Sequence, residues 1–387
     1  MVCNRRRPRG VFRSSGKFRG SSGDTIPNYS VTLPYNLLML AVDVAALRLL
    51  ARRKNLAVGC GTALCVLAIA LGLGGALGGR YENHFGVFRL WAYGAFLHGL
   101  ALLIGTAILW RRQRPRLACG AIVAAVALAV IAADAFLIEP HWLEVSYRRI
   151  GSPKIRRPVR IVVVADLQTN GMGQYERDVL RRALAEKPDM ILLAGDYLQV
   201  PWEPYEPLRR ELHDFLREIH FAAPGGVFAV QGNVDPPRWH DIFAGLAVTA
   251  IAARQSFELG DDLQLTCLGL RESFDSTLVV TGAPPDRFHL VLGHVPNFAL
   301  GKIDADLLVA GHTHGGQVRF PWIGPVITHS RVPNAWAAGL TDLPGGAKLL
   351  VSRGIGMERG YAPPMRLLCR PELVVIDLLP EEDGGAK

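Results

Sequence analysis

Four long apolar stretches fill the first third of the chain, near residues 33–50, 56–78, 90–110 and 117–138. None shows a polar face of helical period, so they do not read as the amphipathic helices of a soluble core. The last three are long enough to cross a bilayer, which takes about 20 helical residues. The first carries Asn36, Asp43 and Arg48; polar and charged groups are costly at membrane depth, so it spans, lies at the interface or acts in targeting. Beyond residue 140 the pattern changes. Apolar runs of strand length alternate with helical stretches at 175–186 and 208–220, the alternation of an α/β fold. The runs at 161–165, 190–194, 227–230, 290–292 and 307–310 predict strands, as do 263–270 and 348–351, whereas 321–344 reads as a long loop. The implied organisation is a disordered basic N-terminus (1–30), three to four transmembrane helices (31–140), an α/β domain (141–380) and a flexible tail (381–387).

Charge refines the membrane half. The 387 residues carry a formal net charge of +9, and half are hydrophobic. The basic excess lies largely beside the apolar segments, which fits attraction to lipid headgroups; no nucleic-acid-binding signature is present. Trp91, Tyr93 and Trp110 sit near segment ends, as interfacial aromatics do, and Gly59, Gly61, Gly72, Gly74 and Gly75 permit close helix approach. Arg52, Arg53 and Lys54 precede the second segment, and Arg111, Arg112, Arg114 and Arg116 join the third to the fourth. Counting these as cytoplasmic puts the α/β domain on the outer face. The opposite count, led by the basic N-terminus and by Arg148, Arg149, Lys154, Arg156 and Arg157, puts it inside. Arg5, Arg6 and Arg7 imitate a twin-arginine export signal, but the next apolar run is distant and no small-residue cleavage site follows. The six cysteines show no paired spacing, so neither a disulfide framework nor a zinc ribbon is expected.

The strand-like runs share a grammar: each delivers an oxygen or nitrogen ligand at its C-terminal end, where open α/β sheets place their sites. The first run ends at Asp166, the next at Gly195-Asp196, then Gly232-Asn233, Gly293-His294 and Gly311-His312-Thr313-His314-Gly315-Gly316. Singly, a Gly-Asp after an apolar run is more often a turn, and a lone buried histidine is usually a hydrogen-bonded core residue. Six metal-ligand types in five such positions within one domain favour a metal site.

The series Asp-x-Gln, Gly-Asp, Gly-Asn-x-Asp, Gly-His and Gly-His-x-His resembles the calcineurin-like metallophosphoesterases over about residues 141–380. The segments 311–317, 351–356 and 369–373 resemble the membrane-associated branch of that family, which is related to the UDP-2,3-diacylglucosamine pyrophosphatases of lipid A biosynthesis. The resemblance implies a four-layer α/β fold, two facing mixed sheets flanked by helices, here preceded by the helical transmembrane region. It implies two divalent metals, one held by Asp166, Gln168, Asp196 and His314 and the other by Asp196, Asn233, His294 and His312, with Asp196, Asn233 and His312 central to catalysis. A carboxylate such as Asp196 can bridge two cations roughly 3.5–4 Å apart, and a hydroxide they share is a nucleophile at neutral pH. Mixed oxygen and imidazole donors suit manganese foremost, or iron or zinc, better than calcium.

Two departures bear on chemistry. Gln168 stands where the family usually has histidine; it completes the site through its carbonyl or only hydrogen-bonds a ligand. Val234 stands where a histidine near the leaving group is common. General-acid help is worth roughly 10²–10⁴-fold to an alkoxide leaving group, whereas a phosphate, with a second pKa near ~6, departs as the anion. Val234 therefore favours a diphosphate or an activated ester, unless His240 or Arg238 donates the proton. Among Arg353, Arg359 and Arg366, Arg353 and Arg359 are the candidates to hold substrate phosphates bidentately, and Asp235 either orients the metal shell or caps the next helix. The expected activity is membrane-anchored hydrolysis of a phosphodiester or pyrophosphate bond, with a lipid-linked nucleotide diphosphate such as UDP-2,3-diacylglucosamine preferred. The contrasting expectation is a weakly active or non-catalytic module that binds a phosphorylated lipid or partner.

Overall fold

The computed structural model describes residues 31–81, 84–200, 204–325, 327–360 and 362–381. The expected disordered N-terminus and residues 382–387 of the tail lie outside the described residues.

Four helices, Thr32–Arg52, Leu56–Tyr81, His84–Trp110 and Pro115–His141, are each long and apolar enough to cross a membrane. The third begins at His84 rather than near residue 90, because its first turns carry Arg89 inward towards the Thr32 hydroxyl. The polar groups that weaken the first segment are met inside the bundle. His98, on a π-helical turn of the third helix, lies 2.6 Å from Asp43 and 2.9 Å from Asn36; pairing of this kind makes polar side chains tolerable at membrane depth. Of the glycines expected at helix contacts, Gly59 abuts Trp110 and Gly74 abuts Trp91, whereas Gly61, Gly72 and Gly75 have open space beside them. The two basic loops meet at one end of the bundle, where Lys54 donates to Gln113 at 2.6 Å.

The rest of the chain folds into two six-stranded sheets. In spatial order the first comprises Glu144–Ser152, Glu372–Pro380, Val159–Val164, Met190–Leu193, Val227–Val230 and Thr249–Ile251. Its neighbours are parallel except where Glu372–Pro380 meets Val159–Val164. The second comprises Gly339–Asp342, Lys348–Val351, Leu307–Ala310, Phe288–Leu292, Leu263–Cys267 and Gln255–Leu259, with antiparallel strands at both edges. Near-continuous apolar strands belong in sheets covered on both faces, and alternate residues here enter different cores. Ile161, Val163, Leu192 and Val230 pack against Leu265, Leu290, Leu292 and Val309 between the sheets. Val162, Val164, Ile191 and Leu193 pack outward on the helices Gln174–Ala185 and Tyr205–Glu218. Each such side chain contributes about 1.5–3 kcal/mol on full burial. The outer face of the second sheet is covered by short helical turns, among them Pro296–Leu300, so only the first sheet carries long helices.

One expectation is corrected. The stretch 321–344 is not a plain loop: Gly339–Asp342 pairs antiparallel with Lys348–Val351, and Gly324–Pro325 pairs with Arg319–Phe320. Glycines and prolines mark its turns and mask these short strands in the sequence.

Candidate metal centre

Five strands point their C-terminal ends at one place. Asp166 follows Val159–Val164, Asp196 follows Met190–Leu193 and Asn233 follows Val227–Val230; His294 and the His312–His314 loop come from the second sheet. The sheets are stitched together there. Asp166 N–H donates to the Gly195 carbonyl at 3.0 Å, Gln168 N–H to the Asp196 carbonyl at 2.8 Å, and His294 Nδ1 lies 2.7 Å from the Ala194 carbonyl across the gap between sheets. That last contact makes Nδ1 the donor and turns Nε2 towards the cluster, where a bound cation would replace the proton that Asp196 otherwise favours there. Ligand atoms of Asp196, His294 and His312 lie within 4.8 Å of one another. His294 Nε2 is 3.3 Å from Asp196 Oδ2 and 3.0 Å from Asn233 Oδ1. Both Asp166 carboxylate oxygens accept from the His312 backbone N–H at 3.0 Å.

The backbone is strained where these residues sit. Asp166, Gln168, Asp196, His312 and His314 have φ of 50°, 35°, 54°, 70° and 48°. For residues other than glycine such conformations cost on the order of 1–3 kcal/mol each, and they cluster at functional sites. Two glycines make the crowding possible. At Gly232 a side chain would fall on the Asp196 carboxylate, and at Gly354, with φ of +69°, it would lie 2.8 Å from Asp166 Cβ. Asp235 orients this shell: its carboxylate accepts from the Asp196, Tyr197 and Gly232 amides at 2.9, 2.8 and 2.8 Å. Val234 contributes only its backbone N–H, to Asp196 Oδ1 at 2.9 Å.

The electrostatics favour positive charge. Burial, with the Asp196 charge adding to it, pushes Asp166 and Asp235 up to about 7. Asp196 itself is held below its ordinary range: burial opposes this, but His294 and the Val234 amide outweigh it. His294 is likewise opposed by burial and pushed up to about 9 by Asp196. Burial and neighbouring positive charge lower His312 to about 4 and hold His314 well down, which keeps both imidazoles neutral and able to ligate.

Gln168 supplies the sharpest test of whether a cation fits. Its Nε2 donates to Gln199 Oε1 and to Glu358 Oε2, both at 2.9 Å, and Gln199 Nε2 donates to the other Glu358 oxygen at 2.8 Å. The amide orientation is thereby fixed, and Oε1 is left as a buried acceptor with no protein partner. Buried acceptors are rarely abandoned, and a carbonyl oxygen among carboxylates and imidazoles suits a divalent cation. Glu358→Gln leaves one acceptor where the carboxylate served two amide donors, so the interlocked orientation of Gln168 and Gln199 is lost. We expect affinity for the weaker of two bound divalent cations to fall 10- to 100-fold, the usual scale for a partner that orients a ligand; calorimetric metal titration reads it directly, and unchanged affinity refutes the role.

The candidates for holding phosphate separate. Arg359 lies beside the centre, its Nε donating to the Gln168 backbone carbonyl at 2.9 Å. Arg353 is turned away, because burial beside Glu372 and Glu144 makes ion pairing the better arrangement: its guanidinium reaches Glu372 at 3.1 Å and Glu144 at 3.2 Å. Arg366 is fully buried and donates to the carbonyls of Gly356, Cys369, Arg353 and Gly354. His240 and Arg238 are exposed and turned towards Asp241. Sequence reasoning missed Gln199, Glu358 and His329, which belong to no ligand motif. His329 is a neighbour of consequence: its carbonyl lies 3.2 Å from His312 Nε2, and its ring stacks on His84 and tilts against Phe85 at the start of the third apolar helix.

Comparison with known proteins gives a consistent picture. Residues 159–316 match the family described as calcineurin-like phosphoesterase. The chain is 28% identical to the metallophosphoesterase YkuE of Bacillus subtilis over 261 residues, covering 62% of this chain and 87% of that protein. It is 27% identical to the phosphodiesterase YaeI of Escherichia coli, covering 62% and 90%. It is 26% identical to the UDP-2,3-diacylglucosamine pyrophosphatase LpxG of Chlamydia trachomatis, covering 60% and 92%.

Proposed function

We propose that the chain, whose residues 159–316 match the calcineurin-like phosphoesterase family, is a hydrolase with that family's dinuclear metal centre and cleaves a lipid-linked diphosphate at a membrane surface. The observation that carries the membrane-surface reading is the path from His312 through the His329 carbonyl to the rings of His84 and Phe85, which ties the cluster to the end of an apolar helix. A site held there meets headgroup phosphates before it meets soluble esters. The pyrophosphatase relative in Chlamydia trachomatis supports the diphosphate.

In this reading Asp166, Gln168, Asp196 and His314 hold one cation, and Asp196, Asn233, His294 and His312 hold the other, manganese foremost. When bound, two such cations lower the pKa of water towards ~7 and neutralise phosphate oxygens. Asp235 holds the shared carboxylate rigid through three backbone amides. The Ala194 carbonyl keeps His294 in its ligating tautomer. Arg359 stands beside Gln168, where a guanidinium fork can take a substrate phosphate. Val234 can neither give nor take a proton, so leaving groups that depart as stable anions are favoured.

The seven basic residues Arg52, Arg53, Lys54, Arg111, Arg112, Arg114 and Arg116 lie in or next to the two loops at the bundle end away from His84. Arg148 and Arg149 belong to a strand of the catalytic domain, so they weigh less in orientation than short-loop charges. This supports cytoplasmic basic loops and a catalytic domain on the outer face.

The test is a leaving-group series with the full-length protein in lipid nanodiscs and manganese. UDP-2,3-diacylglucosamine and an aryl phosphodiester are expected to turn over, with an alkyl diester slower by roughly 10²–10⁴-fold, the share a general acid would have supplied. Equal rates on aryl and alkyl diesters would count against the diphosphate reading.

A further inference from the structure

We propose that the hairpin carrying Phe320, Trp322 and Ile323 dips into the bilayer interface beside the metal centre, so that the catalytic domain touches lipid at a second point besides its helices. Three large apolar side chains crowd this short turn, with Trp322 103% exposed, Ile323 74% and Phe320 47%. The turn joins Arg319–Phe320 to Gly324–Pro325 as an antiparallel pair. Isolated exposed apolar residues are ordinary on soluble surfaces, but a contiguous group marks an interaction site.

What covers this group follows from where the hairpin is fastened. Val318 bridges Leu367, and Arg319 N–H donates to the Leu367 carbonyl at 2.9 Å. The segment around Leu367 is pinned in turn to the last turns of the fourth apolar helix. Arg366 N–H donates to the Ala135 carbonyl at 2.9 Å, and the Glu139 carboxylate accepts from the Leu368 and Cys369 amides. That helix end is itself apolar and exposed, with Leu137 70%, Ile138 54% and Trp142 55% open, and Leu368 beside it is 57% open. A helix long and apolar enough to cross a bilayer needs lipid around Leu137 and Ile138, and Trp142 beyond them has the chemistry of an interfacial anchor. The hairpin is tied two backbone links away from that level, and tryptophan and isoleucine are the residues such a depth favours. On the same strand, the Arg319 side chain donates to the Gly315 carbonyl at 3.2 Å, which fastens the turn to the His312–His314 loop. Hairpin and helix tip thus bracket the centre from the membrane side.

The inference depends on the four helices lying in a bilayer and not on which phosphate ester is cleaved. Trp322 fluorescence tests it. The full-length protein and its Trp322→Phe variant are placed in nanodiscs with lipids brominated near the carbonyl end of the acyl chains, and the difference between their emissions isolates Trp322 from the other six tryptophans. We expect bromolipid to remove most of that difference emission and aqueous iodide to leave it unchanged. Quenching by iodide and not by bromolipid overturns the proposal, as does a difference emission that neither reagent reaches because a second copy or another protein covers the turn. Because this readout does not use hydrolysis, its failure leaves the hydrolase reading standing.

Discussion

Asp196→Asn is expected to lower metal-dependent hydrolysis by roughly 10³-fold or more, on the scale of removing a central electrostatic group from an active site. Asp196 is 2% exposed; one carboxylate oxygen accepts from the Val234 amide at 2.9 Å and the other faces His294 Nε2 at 3.3 Å. Asparagine keeps the shape and one carbonyl oxygen but loses the charge and the second acceptor. An NH₂ would then face an imidazole nitrogen whose lone pair is needed for ligation, and a carboxylate able to serve two cations becomes an amide able to serve one. The fold is expected to survive, because Asp235 grips the backbone amides of Asp196 and its neighbours rather than the side chain. Hydrolysis of an aryl phosphodiester and metal content by elemental analysis check the two halves together: activity should vanish, the metal-to-protein ratio should fall from two towards one, and membrane insertion should persist. Retained turnover would falsify the assignment of Asp196 to the centre.

Arg366→Met is expected to destabilise the catalytic domain by about 3–5 kcal/mol, because it takes the donor from several backbone carbonyls at about 1–3 kcal/mol each. Among the described residues, no side chain of the domain is more thoroughly engaged with the backbone. Arg366 Nε and Nη1 donate to the Gly356 and Cys369 carbonyls at 3.0 Å, and Nη2 donates to the Arg353 and Gly354 carbonyls at 2.9 and 3.1 Å. Gly354 keeps a second donor in the Glu372 amide, but the others are left as buried acceptors, each at a cost of about 1–3 kcal/mol. Methionine restores part of the volume, so a cavity adds little. For a domain of this size the loss corresponds to a fall in unfolding midpoint of roughly 10 °C, measurable by thermal scanning of the full chain in detergent. Metal affinity should fall with it, since the Ile355 and Gly356 amides donate to the Ala165 and Asp166 carbonyls at 2.9 and 2.7 Å. Arg366→Lys, which keeps the charge and loses the fork, should lie between; a midpoint unchanged in the methionine variant would show the guanidinium to be dispensable.

Much of this protein is written in its linear pattern. Four unbroken apolar stretches require lipid or burial whatever follows them, and strand-length runs ending in Asp166 or in Gly-Asp, Gly-Asn or Gly-His require a sheet whose ends carry ligands. Those features are local, set by side-chain period and by turn chemistry within a few residues, and so they can be read without a fold. The first apolar segment resisted such reading because its Asn36 and Asp43 are answered by His98, about sixty residues away. The hidden strand at Gly339–Asp342 resisted it because pairing with Lys348–Val351, not propensity, makes it a strand. The tertiary structure alone decided that Gln168 presents a bare carbonyl, since Gln199 and Glu358 orient it from distant loops. It alone turned Arg353 towards Glu372 and Arg366 into the backbone, where composition offered three equivalent guanidinium groups. The left-handed backbone at Asp166, Asp196, His312 and His314 is likewise invisible in sequence, because neither aspartate nor histidine demands it; packing around the shared centre imposes it. Residue type determines which groups can bind and where a chain can bend, but the partners that aim those groups are brought from far along the chain, and only the packed fold selects them.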